Sequence, residues 1–100
     1  MTDSGRSPSP LEIELRGEID LSNASAIGDD LCDAIHRAAG TSIVVDVSAV
    51  SFIDSTAISM MLRVHHYAEA WQRSVTWRDV QPAPRQALEL TGVDGVLKLE

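Results

Sequence analysis

The stretch Ile43-Val44-Val45-Asp46-Val47 constrains the fold more than any other part of the chain. Four β-branched apolar residues in five, with polar residues on both sides, suit a strand and crowd a helix. A run of this kind, without alternation, predicts a central strand buried on both faces, the habit of parallel sheets covered by helices. The preceding segments carry complementary patterns. Leu11, Ile13 and Leu15 alternate with Glu12, Glu14 and Arg16, so this part reads as a half-buried strand ended by Gly17. Asp20, Ser22 and Asn23 then supply short oxygen-bearing side chains that can take the first free N–H groups of a helix. Ile27, Leu31, Ile35 and Ala38 follow at helical spacing and predict an amphipathic helix of about four turns, with Gly40 as its left-handed stop.

Beyond the central run, Ser48 to Ser51 reads as a connection, Phe52 to Ser55 as a second apolar step, and Thr56 to Gln72 as a second helix. The apolar positions of that helix (Ala57, Ile58, Met61, Leu62, Val64, Ala68, Trp71) form a stripe wider than one core-facing side needs. Part of it is expected to meet a partner. Ser74 to Asp79 alternates as a strand, and Pro82 to Leu90 reads as a short helix with prolines in its first turn. Gly92 stops that helix, and Val96 to Leu99 forms a last short strand. The order β-α-β-α-β-α-β predicts one small α/β domain over residues 11–99, a mostly parallel four-stranded sheet packed with amphipathic helices. Residues 1–10, with two prolines, three serines and a glycine, read as a flexible leader.

Composition removes several functions. Fifteen acidic residues against eight basic ones give a net charge of −7. Neutralising phosphates takes clustered cations, whereas here Lys98 is the one lysine and the seven arginines are scattered, which argues against direct nucleic-acid binding. The longest apolar run, Ala57 to Leu62, is broken by Ser59 and falls far short of the roughly 20 residues of a membrane span. No apolar signal-peptide region opens the chain, and the single cysteine, Cys32, excludes an intrachain disulfide. Cys32 is expected to be a buried small apolar group. A reducing, cytoplasmic setting fits these features. His65 and His66 are adjacent, so they point in different directions on a helix and read as surface or boundary residues, with no metal and no cofactor implied.

The most informative segment is Ile43 to Leu62, in which Asp54-Ser55-Thr56 stands at the mouth of a helix after a buried strand. Together with Gly17-Glu18-Ile19-Asp20 upstream and Leu88-Glu-Leu-Thr-Gly-Val-Asp94 downstream, it resembles the STAS family, in particular the bacterial anti-sigma factor antagonists (anti-anti-sigma factors). The resemblance covers about residues 11 to 99. It implies a non-enzymatic regulator of transcription that binds an anti-sigma factor, itself a serine kinase, and so frees a sigma factor. It further implies a phosphoprotein, since the kinase ends the interaction by phosphorylating the serine after the motif aspartate, and a serine phosphatase resets it. Carried over by position, the acceptor is Ser55, flanked by Asp54 and Thr56, and Asp20 matches the aspartate that lies near the acceptor. The partner surface is then expected to include Asp20, Asp54, Ser55, Thr56, Ala57 and Met60. The family also includes stand-alone STAS subunits that act without phosphate as structural or regulatory partners, in lipid-transporting ABC systems or sensory complexes.

The residues alone allow plainer roles. Ser55 could be an N-cap, Asp20 a cap for the first helix, Thr56 a first-turn residue, and Met60 and Met61 core filler rather than an adaptable contact surface. A serine at a helix entry sits where unpaired N–H groups can receive phosphate oxygens, so phosphorylation would cost the isolated domain little. Its effect would fall on the interface, through added charge and solvated oxygens. Ala57 departs from the family's glycine. If that glycine serves close approach of the kinase, the methyl obstructs; if it only fills a helical turn, alanine is the better residue. A P-loop is excluded because no Lys-Ser or Lys-Thr follows a glycine-rich loop. A receiver domain is disfavoured because the acidic pair Asp29-Asp30 falls within a helix and Lys98 lies too near the end.

Overall fold

The computed structural model describes residues 10–100, so the leader expected over residues 1–10 lies outside the described residues but for Pro10. Four strands, β1 (Leu11–Ile19), β2 (Ser42–Ile53), β3 (Ser74–Arg78) and β4 (Lys98–Leu99), alternate with three helices, α1 (Ala24–Arg37), α2 (Ser55–Ala70) and α3 (Pro82–Leu90). A 3-10 turn, Val93–Gly95, leads into β4. The sheet is wholly parallel with the strands in sequence order, β1-β2-β3-β4. Crossovers of one hand that always advance to the next strand put their helices on the same side. The result is a two-layer domain.

That topology corrects the reading of the central strand. β2 is longer than the β-branched run and continues unbroken to Ile53, so the expected connection at Ser48 to Ser51 is strand as well. Its burial alternates: Ile43, Val45 and Val47 are buried, whereas Val44 and Asp46 are only half-buried. The helix-facing row pairs Ile13 with Val45 and Val45 with Trp77. The open face instead aligns Glu12 with Val44 and Thr76, and Glu14 with Asp46 and Arg78. Arg78 donates to Asp46 (3.3 Å) and lies 2.9 Å from Glu12. A polar cross-strand row thus takes the place of a second helix layer among the described residues.

Gly17 does not end β1. It sits inside the strand at φ +79°, between two register shifts relative to β2. After the second shift Ile19 stands opposite Ile53, so both strands deliver their ends to the same point. Nothing crowds a side chain at position 17; the requirement is purely the left-handed backbone. Gly17→Ala is therefore expected to lower stability by about 1 kcal/mol in chemical denaturation, with Gly17→Asn closer to wild type.

The core is a continuous layer between the sheet and the helices. Trp77, Val45, Val75 and Ile43 supply its sheet side, and Leu31, Ile35, Met61, Val64 and Leu88 its helix side. The wide stripe of α2 has a structural explanation: Ala57, Ile58, Met60, Met61, Val64 and Ala68 are all buried, because α2 is covered both by the sheet and by α1. Leu62 is half-buried, and Trp71 is exposed. It ends α2, remains 47% exposed, and meets His36 edge-on at 4.6 Å between ring centroids. α1 stops at Arg37 because Ala38 turns extended, two residues before Gly40, and Arg73 donates to the Ile35 carbonyl there. Cys32 is half-buried, and burial raises its thiol pKa. α3 keeps the expected bounds, with prolines in its first turn and left-handed Gly92 just past its end.

Candidate functional site

The C-terminal ends of β1 and β2 lie side by side, and the two following helices start there. Asp54 N–H donates to the Ile19 carbonyl (3.3 Å), and Leu21 N–H donates to Asp54 Oδ2 (3.1 Å). Asp54 also caps α2: Oδ1 accepts from Ala57 N–H (3.0 Å) and from the Thr56 hydroxyl (2.5 Å). One carboxylate thus fixes the start of α2 and ties the β1–α1 loop to it. The Thr56 hydroxyl contributes most, then the Ala57 N–H, and these hydrogen bonds, with those from Leu21 and Thr56 N–H, hold the Asp54 carboxyl below the ordinary carboxylate range against the opposing effect of burial.

This arrangement settles the capping question. Asp54 is the N-cap and Ser55 the first helical residue, exposed at the surface. It also narrows the set of helix-start donors, because the Ala57 N–H is already taken by Asp54. The lowered carboxyl of Asp54 has a consequence for stability. Its contribution is fully present above the unfolded carboxylate pKa and is lost as pH falls through the lower folded value. Asp54→Asn is therefore expected to flatten the fall in melting temperature between about pH 6 and pH 3, part of which belongs to Asp46, also lowered, chiefly by Ser48.

Ser55 opens onto a groove of about 430 Å³ between the first turns of α1 and α2, lined by Leu21, Ala24, Ser25, Ser55, Thr56, Ser59, Met60 and Arg63. Five of these were not singled out by sequence, the buried Ala24 among them. Ser59 and Arg63 follow Ser55 at four-residue steps on one helix face, a spacing visible in the sequence. Leu21, 79% exposed, is the one apolar residue of the loop Asp20-Leu21-Ser22-Asn23, and Ser25 carried no signal. Arg63 crosses the groove to α1, donating to Asp29 (3.1 Å) and to the Ser25 carbonyl (3.3 Å). Its guanidinium lies over Gly28, where a Cβ would collide with it and would stand 2.8 Å from Met60 Cγ.

The other three expected contact residues have different surroundings. Asp20 is not part of the groove: its carboxylate accepts from the N–H (2.9 Å) and hydroxyl (2.5 Å) of Ser22, and its carbonyl starts α1 by accepting from Ala24 N–H (2.8 Å). Asn23 braces the same turn through Asp20 N–H and the Glu18 carbonyl, each at 2.9 Å. Met60 is only 3% exposed and belongs to the core beneath Gly28. Ala57 is 0% exposed, so its methyl faces inward and cannot obstruct an approaching kinase. His65 is buried rather than at the surface, and both histidines reach Glu69, His65 Nε2 at 3.5 Å and His66 Nδ1 at 3.6 Å. These are the described residues whose donor atoms could approach a common ion.

Comparison with known proteins places the whole domain. A family model described as "Mlab, STAS domain" matches residues 3–99. An anti-sigma factor antagonist from Mycobacterium paratuberculosis superposes with a TM-score of 0.74 at 24% identity, over 94% of this chain and 80% of that one. The phosphorylated Bacillus cell fate determinant SpoIIAA gives 0.65 at 24% identity, over 89% and 80%. A sulfate transporter family protein from Wolinella succinogenes gives 0.76 at 15% identity, over 98% and 83%. The same fold therefore occurs in anti-sigma factor antagonists and in a sulfate transporter family protein.

Proposed function

The chain belongs to the STAS domain family, and from that premise we propose that it is an anti-sigma factor antagonist switched by phosphorylation of Ser55. In this reading the free domain binds an anti-sigma factor that is also a serine kinase, and the sigma factor is released. The kinase then transfers the γ-phosphoryl group of ATP to Ser55 Oγ, the hydroxyl proton passes to a base of the kinase, and ADP departs. A serine phosphatase restores the hydroxyl. The observation that carries the reading is the state of Ser55: an exposed serine at the first position of α2, relieved of the capping duty by Asp54 and opening on a groove.

The geometry favours control at the surface. Ser55 follows a firmly ionised Asp54, so a phosphate adds roughly −1.5 to −2 charges beside an existing one, where a partner has to strip water. Rigid docking suffices, and catalysis resides in the partner. The Mlab description of the matching family supports a second reading, in which this is a STAS subunit that works without phosphate as a structural or regulatory partner of a lipid ABC transporter or a sensory complex.

Affinity capture from the cytoplasm of the source cell, followed by mass spectrometry, tests both readings. The antagonist reading expects an anti-sigma kinase among the captured proteins and a fraction of Ser55 carrying phosphate. Ser55→Ala is expected to capture the same kinase and to stay bound when ATP is added. A transporter subunit captured with unmodified Ser55 would establish the second reading.

A further inference from the structure

We propose that Arg63 is the counter-charge for a phosphate on Ser55: the guanidinium leaves Asp29, pairs with the phosphate, and closes the groove over Ser59. The proposal rests on the reading of Ser55 as the acceptor. It starts from a shortage of donors. The start of α2 would ordinarily offer backbone N–H groups to an anion, yet Asp54 already engages the Ala57 N–H and lies next in sequence to Ser55 as an ionised neighbour. A phosphate there needs a positive group from elsewhere.

Arg63 is the one cation among the residues that line the groove. Ser55, Ser59 and Arg63 share a face of α2, and eight residues correspond to about 12 Å of helix. Long side chains on a helix lean toward its N-terminus, which turns Arg63 toward Ser55. Its guanidinium already reaches the carbonyl of Ser25 in the first turn of α1, beside the end of the domain where Ser55 lies. The present partner does not hold it firmly. The Arg63–Asp29 pair is about half-exposed on both sides, and ion pairs of that kind contribute little. A doubly charged phosphate with three acceptor oxygens matches the guanidinium fork better than a single carboxylate oxygen. The guanidinium rests on Gly28, where any larger side chain would collide with it, and its half-exposed position lets it turn toward Ser55 without a backbone change.

The charged groups around the phosphate are Asp54 beside it, Asp29 opposite Arg63, and Asp20, whose carboxylate is occupied by Ser22. The acidic neighbours raise the second ionisation of the phosphate and Arg63 lowers it, so that ionisation reports the pairing. The experiment places phosphoserine at position 55 of the full chain during translation and follows the phosphate by phosphorus NMR through pH. The titration midpoint is expected about half a pH unit lower in wild type than in Arg63→Gln, with Arg63→Lys retaining most of the difference. In about 1 M salt the difference shrinks. Coincident midpoints for wild type and Arg63→Gln, both folded by circular dichroism, overturn the proposal. Because the phosphate is installed without a kinase, that outcome leaves the acceptor reading standing. Failure of a kinase to modify Ser55 would, conversely, leave the titration unaffected.

Discussion

Ser55→Asp is expected to weaken binding of the anti-sigma factor about 100-fold or more while moving the melting temperature by no more than about 3 °C. The two effects separate because they arise from different surroundings. In the free domain the side chain is exposed at the first position of α2, where an acidic group meets the positive end of the helix dipole. In the proposed complex the same carboxylate would stand beside Asp54 at a surface the partner covers, and like charges brought together in a desolvated contact cost several kcal/mol. Aspartate is shorter than phosphoserine and is not expected to reach Arg63, so the substitution tests charge and desolvation alone. Titration calorimetry against the anti-sigma factor reads the loss. Equal affinities for wild type and Ser55→Asp would remove Ser55 from the interface.

Met60→Asp has the opposite signature. Met60 is buried between α1 and α2, and a carboxylate desolvated there, even beside the Arg63 guanidinium, is expected to cost about 2–4 kcal/mol, a large fraction of the stability of a domain this size. Thermal unfolding is expected to show a domain partly or wholly unfolded at 37 °C. Met60→Leu, which conserves volume, is expected to stay within about 1.5 kcal/mol of wild type and to bind normally. If Met60→Asp instead melted like wild type and failed only in binding, Met60 would be contact surface and the packing of α1 on α2 would be wrong.

The alternation of β1, the prolines of α3 and the order of elements were legible because each reports a local preference that the tertiary structure respects. The single-sided burial of β2 was not. Val44 and Val45 look alike in sequence, and only the one-directional strand order leaves Val44 without a covering layer. Gly17 carried two meanings, a strand end or a left-handed step within a strand, and the pairing of Ile19 with Ile53 decides between them. Met60 was ambiguous for a related reason: a wide apolar stripe on one helix fits a partner's surface or a neighbouring helix, and α1 proves to be that neighbour.

The site itself was partly legible. The Asp54-Ser55-Thr56 segment marked the entry of α2, but which oxygen caps the helix depends on side-chain geometry that residue types do not specify. Arg63 went unread because its relevance comes from the space above Gly28 on another helix. The four-residue steps from Ser55 through Ser59 to Arg63 were present in the sequence all along, and they gain meaning only once the groove between the two helices is seen.

The central claim, that Ser55 is the switch of an anti-sigma factor antagonist, is tested most directly by incubating the purified protein with the anti-sigma kinase it captures and ATP, then locating the phosphate by mass spectrometry. The account predicts one phosphate, on Ser55, absent in Ser55→Ala and accompanied by dissociation of the complex. An unmodified Ser55 in a complex that ATP leaves intact would contradict it.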